Sequence, residues 1–202
     1  MEEVKLRPYQ EQSREAVEKE WEEGRKRTLL VLPTGTGKTV VFSKIVEDQV
    51  KLGDRCLILA HRGELLEQAS DKLLKATGLK TATEKAEQTS LGTQAKVVVG
   101  SVQTLQREKR LAKFEPEHFN TIVVDEAHHC ISSGYQKVLG HFPNAKVLGV
   151  TATPDRGDMK NLGEYFESMA CEYSLNDAIR EGYLSPIKAL TIPLKVDLSE
   201  VK

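Results

Sequence analysis

Short, unbroken apolar runs recur along the chain, each followed by a polar or glycine-bearing break and then a stretch with helical spacing. Runs of this kind, rich in Val, Ile and Leu, mark strands buried on both faces. They fall at Thr28–Leu32, Cys56–Ala60, Lys96–Gly100, Thr121–Glu126 and Lys146–Thr151, with weaker ones at Lys80–Thr83 and Lys188–Pro193. The stretches between them repeat at about 3.6 residues, the period of a helix with one buried face. Ala16, Val17 and Trp21 give Tyr9–Gly24 an apolar stripe, and a second stripe runs from Lys38 to Val50 and stops before Gly53. Strand alternating with helix predicts an α/β fold, a mainly parallel sheet with helices on both faces in three layers. Two polar stretches interrupt the pattern. Lys80–Lys96 reads as a flexible connection, and Asp155–Gly163 as a segment that stays mobile until nucleotide or a partner orders it.

The breaks carry the chemistry. After the first apolar run comes PTGTGKT, Pro33–Thr39. Pro33 cannot donate a ladder hydrogen bond, so the strand stops there. Gly35 and Gly37 let backbone N–H groups approach an anion with no Cβ in the way. A helix beginning near Gly37 points its positive end at the same place. Thr34, Gly35, Thr36, Gly37, Lys38 and Thr39 are therefore candidates to cradle the phosphates of a nucleotide such as ATP. Lys38 would reach the β- and γ-phosphate oxygens, and the Thr39 hydroxyl would serve Mg²⁺. The general phosphate-loop pattern has a further glycine five positions before Gly37, where this chain has Leu32. That departure disfavours a small-molecule kinase.

The fourth strong run, TIVV at Thr121–Val124, delivers Asp125 and Glu126. Ligands of open α/β sheets sit at the carboxyl ends of the strands. Successive strand side chains point to opposite sides, so the chain must turn at these two acids for both to serve one site. Asp125 suits the Mg²⁺ shell, and Glu126 suits orienting and deprotonating an attacking water. His128, His129 and Cys130 follow directly, but adjacent residues rarely close one tetrahedral zinc site, and Cys56, Cys130 and Cys171 lie far apart. His128 reads instead as a hydrogen-bonding link to a neighbouring motif.

Here the chain resembles the superfamily 2 DEAD/DEAH-box helicases and translocases, in the branch near the type III restriction-enzyme motor subunits. The resemblance covers essentially all 202 residues, as the first RecA-like motor domain only. It implies that LRPYQ at Leu6–Gln10 reads the adenine, through Arg7 and Gln10. It implies that Arg62, in LILAHRGELLEQA, and Gly100, Ser101, Gln103 and Thr104, in VVVGSVQTLQR, hold a nucleic-acid backbone. It implies that Thr151 and Thr153, in LGVTATPDR, act with His128 to couple hydrolysis to strand movement. Residues 1–193 would form the motor domain, and 194–202 would begin a linker to a second motor domain. That second domain supplies arginines worth roughly three to five orders of magnitude in turnover, so this piece alone is expected to bind nucleotide weakly and hydrolyse it poorly. The other reading is a nucleotide-gated nucleic-acid-binding module without efficient turnover.

Composition adjusts the picture in one place. The net charge is −1, with 29 Lys and Arg against 30 Asp and Glu. Nucleic-acid binders usually carry a basic footprint. Only Arg25–Arg27 and Arg107–Arg110 offer one here, which predicts weak affinity for the track, DNA more than RNA. Three unclustered cysteines and an N-terminus without an apolar signal fit a reducing cytoplasm, away from membranes, and a monomer is expected.

Overall fold

In the computed structural model, residues 4–60, 63–152 and 156–186 are described. The elements are α1 (Pro8–Glu22), β1 (Arg27–Val31), α2 (Lys38–Lys51), β2 (Cys56–Ala60), α3 (Gly63–Thr77), β3 (Thr81–Glu84) and β4 (Val97–Ser101). Then come two single-turn helices, α4 (Val102–Leu105) and α5 (Glu108–Leu111), and β5 (Thr121–Asp125). A 3₁₀ turn (Ala127–Ile131) leads into α6 (Ser133–His141), β6 (Lys146–Thr151), α7 (Arg156–Tyr165), β7 (Ser168–Glu172) and α8 (Leu175–Arg180).

The seven strands form one sheet in the order β3-β4-β2-β5-β6-β1-β7. Every pairing is parallel. Parallel strands need crossovers, which place helices over both faces and leave central strands apolar on each side. The two cores show this residue by residue. Leu30, Ile58, Val123, Leu148 and Val150 pack with Val17, Phe42 and Ile45 of α1 and α2. Their neighbours Leu29, Leu57, Ile122, Val124 and Val147 turn to the other face, with Leu105, Phe119, Tyr135 and Val138. At Gly149 of β6 a side chain would overlap the Phe166 ring and lie 2.9 Å from Ala127 Cβ, so α7 and the 3₁₀ turn close over bare backbone there.

Two sequence expectations change, and one strand was missed. The weak run at Lys80–Thr83 is β3, but the supposed flexible connection that follows is a loop anchored by Glu84, a fully buried carboxylate. Its Oε2 accepts from Ser90 N at 2.7 Å, Ser90 Oγ at 2.9 Å and Thr89 Oγ1 at 3.2 Å. Arg110 Nη1 lies 3.0 Å from Oε1 as an ion pair. A polar stretch is thus ordered by a buried charge that needs it. In the second polar stretch, residues from Arg156 onward form α7, whose Leu162 reaches the core. The edge strand β7 gave no sequence signal, because SMACE is only half-buried and does not alternate. The expected strand at 188–193 lies outside the described residues. Among the described residues no helix is long and apolar enough to cross a membrane.

Candidate nucleotide site

β1, β6 and β5 are adjacent in the sheet, so the segments that leave their carboxyl ends share one edge. At about 4.8 Å per strand, the ends of β1 and β5 stand about 10 Å apart, a gap that a nucleotide's phosphates and a metal ion can span. The loop after β1 is joined to the end of β6 by Leu32 N–H donating to Thr151 O at 3.0 Å. Thr151 itself is buried.

The loop conformation follows from its glycines. Gly35 and Gly37 have φ of 88° and 82°, in the left-handed region that side chains disfavour. Gly37 is the N-cap of α2, which makes Lys38 the helix's first residue. A Cβ on Gly37 would lie 2.6 Å from Gln10 Nε2. Thr36 is buried, and its hydroxyl donates to Pro33 O at 2.6 Å. Its side chain therefore closes the turn together with its own N–H, which donates to the same carbonyl at 3.3 Å. Thr34 is exposed, Thr39 is half-buried, and Lys38 makes no hydrogen bond or ion pair among the described residues.

Gln10 is tied down on both sides. Its Oε1 accepts from Arg7 N at 2.9 Å, and its Nε2 donates to Thr36 O at 2.9 Å. The Tyr9 hydroxyl donates to the same carbonyl at 2.6 Å. α1 thus grips the loop through two side chains. Sequence reasoning missed the aromatic cluster behind this grip. Tyr9 stacks on Tyr173 at 4.4 Å and 4°, Tyr183 tilts against Tyr9 at 4.8 Å, and the Arg7 guanidinium lies 5.1 Å from the Tyr183 ring centre. Leu184 reaches the loop as well, 3.0 Å from where a Gly35 Cβ would stand. The signal was present in the three tyrosines, but their partners are more than 160 residues apart.

The two acids are brought to one place by a backbone device. Asp125 ends β5, and Glu126 adopts φ 57°, ψ 62°. A glutamate in the left-handed region is uncommon, and such strain costs of order 1–3 kcal/mol. It swings Glu126 off the strand's alternation, meeting the requirement for a turn at these acids. Glu126 N–H donates to Asp125 Oδ1 at 3.1 Å. Burial pushes the Asp125 carboxyl above its ordinary value, the Glu126 charge pushes it further, and Lys38 opposes both. A carboxylate raised by burial and by a second carboxylate is a donor set that suits a divalent cation, with the Thr39 hydroxyl across the gap. His128 Nδ1 lies 3.6 Å from Glu126 Oε2, and its ring packs on His129 at 4.2 Å. Cys130 is fully buried, and burial pushes its thiol up to about 12.

The candidate nucleic-acid residues divide differently. Gln103 is exposed on α4. Gly100 is inside the core, where a Cβ would lie 2.7 Å from Leu105 Cδ1. Ser101 is buried at the N-cap of α4 without a side-chain cap bond. Thr104 is buried, and its Oγ1 accepts from Ala86 N at 3.0 Å. Both basic clusters hold internal ion pairs, although Arg107 and Lys109 stay exposed. Arg25 pairs with Glu20 and Glu23, Arg27 with Glu167 at 3.1 Å, and Arg110 with Glu84. Arg62 and Thr153 lie outside the described residues.

The RecA-like parallel sheet and the relatives below together give the class: the first motor domain of a superfamily 2 helicase. Within that class the chain belongs to the family of the type III restriction enzyme res subunit, whose pattern matches residues 3–156. The protein irc3 of Schizosaccharomyces pombe, provisionally named as a mitochondrial ATP-dependent helicase, is 34% identical over 205 residues, covering 96% of this chain and 34% of irc3. The Pyrococcus furiosus Hef helicase domain superposes with a TM-score of 0.68 at 26% identity, covering 84% of this chain and 38% of that one. A nuclease-deletion mutant of the restriction-modification enzyme LlaGI, solved with a DNA substrate mimic, gives a TM-score of 0.67 at 22% identity over 88% of this chain and 20% of its own. The chain spans about a third of the length of the curated relatives it matches.

Proposed function

We propose that this chain is the ATP-binding half of a nucleic-acid motor, which couples Mg²⁺-dependent ATP hydrolysis to movement on DNA. The observation that carries the reading is the meeting of the Pro33–Thr39 loop with Asp125 and Glu126 at one sheet edge, a single strand apart. In this reading the N–H groups of residues 35–39 and the Lys38 ammonium hold the β- and γ-phosphates. Thr39 and Asp125 would hold Mg²⁺, which when bound neutralises phosphate charge. Glu126 orients a water and takes its proton as the oxygen bonds to the γ-phosphorus. The bond to the bridging oxygen breaks, and ADP and phosphate leave. Arg7 and Gln10 face the base side, although the Gln10 amide is already bonded to the loop. Thr151, held to the loop through Leu32, acts with His128 in coupling. The irc3 name supports use of ATP, and the DNA-bound LlaGI structure supports a DNA track.

Calorimetric titration with a non-hydrolysable ATP analogue and Mg²⁺ tests the site. Lys38→Ala is expected to lose most binding, while Glu126→Gln keeps it and loses hydrolysis. Unchanged affinity in both Lys38→Ala and Asp125→Asn would overturn the assignment. Steady-state hydrolysis with and without duplex DNA tests completeness. Slow, unstimulated turnover is expected, because the reading assigns the γ-phosphate arginines to a second domain.

A further inference from the structure

Tyr183 meets the base side of the nucleotide loop from the far end of the described chain, and the way α8 stops fixes its position. Glu181 caps α8, and Gly182 follows with φ 77°. Gly182 N–H donates to Ile179 O at 3.1 Å, and Tyr183 N–H donates to Ala178 O at 2.9 Å. That pair of bonds around a left-handed glycine is a Schellman ending, which turns the chain back at a set angle. Ala178 is fully buried. The Tyr173 hydroxyl, from just before the helix, donates to Glu181 Oε2 at 2.8 Å. A helix of six residues thus holds a tyrosine near each end. Both rings close on Tyr9, Tyr173 nearly parallel to it and Tyr183 tilted by 59°.

Over the Tyr183 ring lies the Arg7 guanidinium carbon, 5.1 Å from the ring centre. Arg7 is exposed and makes no ion pair among the described residues. Its backbone is held, because Arg7 N–H donates to Gln10 Oε1. Gln10 itself is 5% exposed, with both ends of its carboxamide bonded. The open planar group at this corner is therefore the guanidinium. A guanidinium is a flat cation that stacks on aromatic faces, and a ring under one face leaves the other free for a second ring. Gln10 lies against Thr36 and Gly37, so the corner adjoins the loop that would hold a nucleotide's phosphates.

We infer that Tyr183 sets the plane of the Arg7 guanidinium, whose free face is the platform for a purine base. Tyr183 is thus a positioning residue that acts through Arg7. This rests on the reading of the chain as an ATP-binding motor domain. A platform of this kind works by stacking, which every base can do through its π-face. It favours the larger purines over pyrimidines and does not by itself tell adenine from guanine.

The test separates the base from the phosphates. A ribose-labelled fluorescent ATP analogue with Mg²⁺ is displaced from the chain by ATP or by ribose 5′-triphosphate, which lacks only the base. The unaltered chain is expected to bind ATP at least about five-fold tighter, the lower end of what one base stack contributes. Tyr183→Leu is expected to bring that ratio within about two-fold of unity by weakening ATP alone, with ribose triphosphate unchanged. Tyr183→Phe keeps the ring and the ratio. Arg7→Lys keeps the charge without the plane and matches Tyr183→Leu. The double variant loses nothing further, because both changes remove one platform. An unchanged ratio in Tyr183→Leu overturns the inference. So does an equal loss for both competitors, which makes the ring a prop of the phosphate loop alone. An unaltered chain that binds the two competitors equally also overturns it, and leaves the phosphate site standing. An unaltered chain that binds neither removes the motor-domain reading and this inference with it.

Discussion

The two halves of the carboxyl edge use their polar residues in opposite ways. Around β1, β5 and β6 the charged groups stand without internal partners or against like charge: Lys38 has no bonded partner among the described residues, and Asp125 is pushed up by burial and Glu126. Around β3 and β4 the equivalent candidates are committed to the fold. Thr104 accepts from Ala86 N, Gly100 makes room for Leu105, and Arg110 neutralises buried Glu84. A motif therefore fixes where a residue stands, but its free hydrogen-bonding capacity decides what it can do there. The first half is held ready for a ligand, and of the described candidates in the second only Gln103 is exposed.

The contrast can be broken most forcefully at Arg110. Arg110→Ala leaves Glu84 buried without its counter-ion, and breaking a buried pair in this way costs about 3–5 kcal/mol. Urea unfolding is expected to show a loss of that size, and Glu84→Gln in the same chain to restore part of it. A neutral Arg110→Ala would mean that the basic cluster is free for a track. On the other side, Lys38→Ala should cost nucleotide affinity by about 10–100-fold, the scale of one charge-assisted contact, with the unfolding curve unchanged. Thr104→Val should lower stability by about 1 kcal/mol, as for a lost hydrogen bond, and leave nucleotide affinity alone.

Asp125 supplies the pH arm. Its raised carboxyl means that the nucleotide-free chain loses stability as pH rises through the folded-state value. Asp125→Asn removes that loss. Its melting temperature should exceed the parent's at pH 7, and the two should converge below about pH 3.9, the ordinary Asp value. Saturating Mg²⁺ and nucleotide should reverse the order. The smallest effect is assigned to Gln103→Ala: stability within about 0.5 kcal/mol of the parent, as for an exposed substitution, with weaker DNA binding in a gel-shift titration.

The same division governs what could be read before the structure. The five central strands were legible because burial on both faces forces continuous apolar runs, and their ends came within about two residues. The edge strands were faint or silent: β3 is mostly half-exposed and β7 half-buried without alternation. The glycine loop and the paired acids were legible because each is local, set by residues within seven positions. Glu84 with Arg110, and Tyr9 with Tyr173 and Tyr183, were not, because those partners meet only when the chain is folded. The polar stretch at residues 85–93 looked loose for the same reason: the carboxylate that orders it is drawn to an arginine 26 positions from it in sequence.

The phosphate loop is clasped from two directions, by Tyr9 and Gln10 of the first helix and by Leu184 after the last described one. Those clasps lie some 175 residues apart along the backbone yet close on a single peptide turn. Anything joined to this domain at either side, whether a natural partner module or an engineered fusion tag, therefore has a lever on the nucleotide pocket. Dissection experiments that trim the domain inward from Leu6 or from Pro186 should lose ligand affinity well before they lose the sheet.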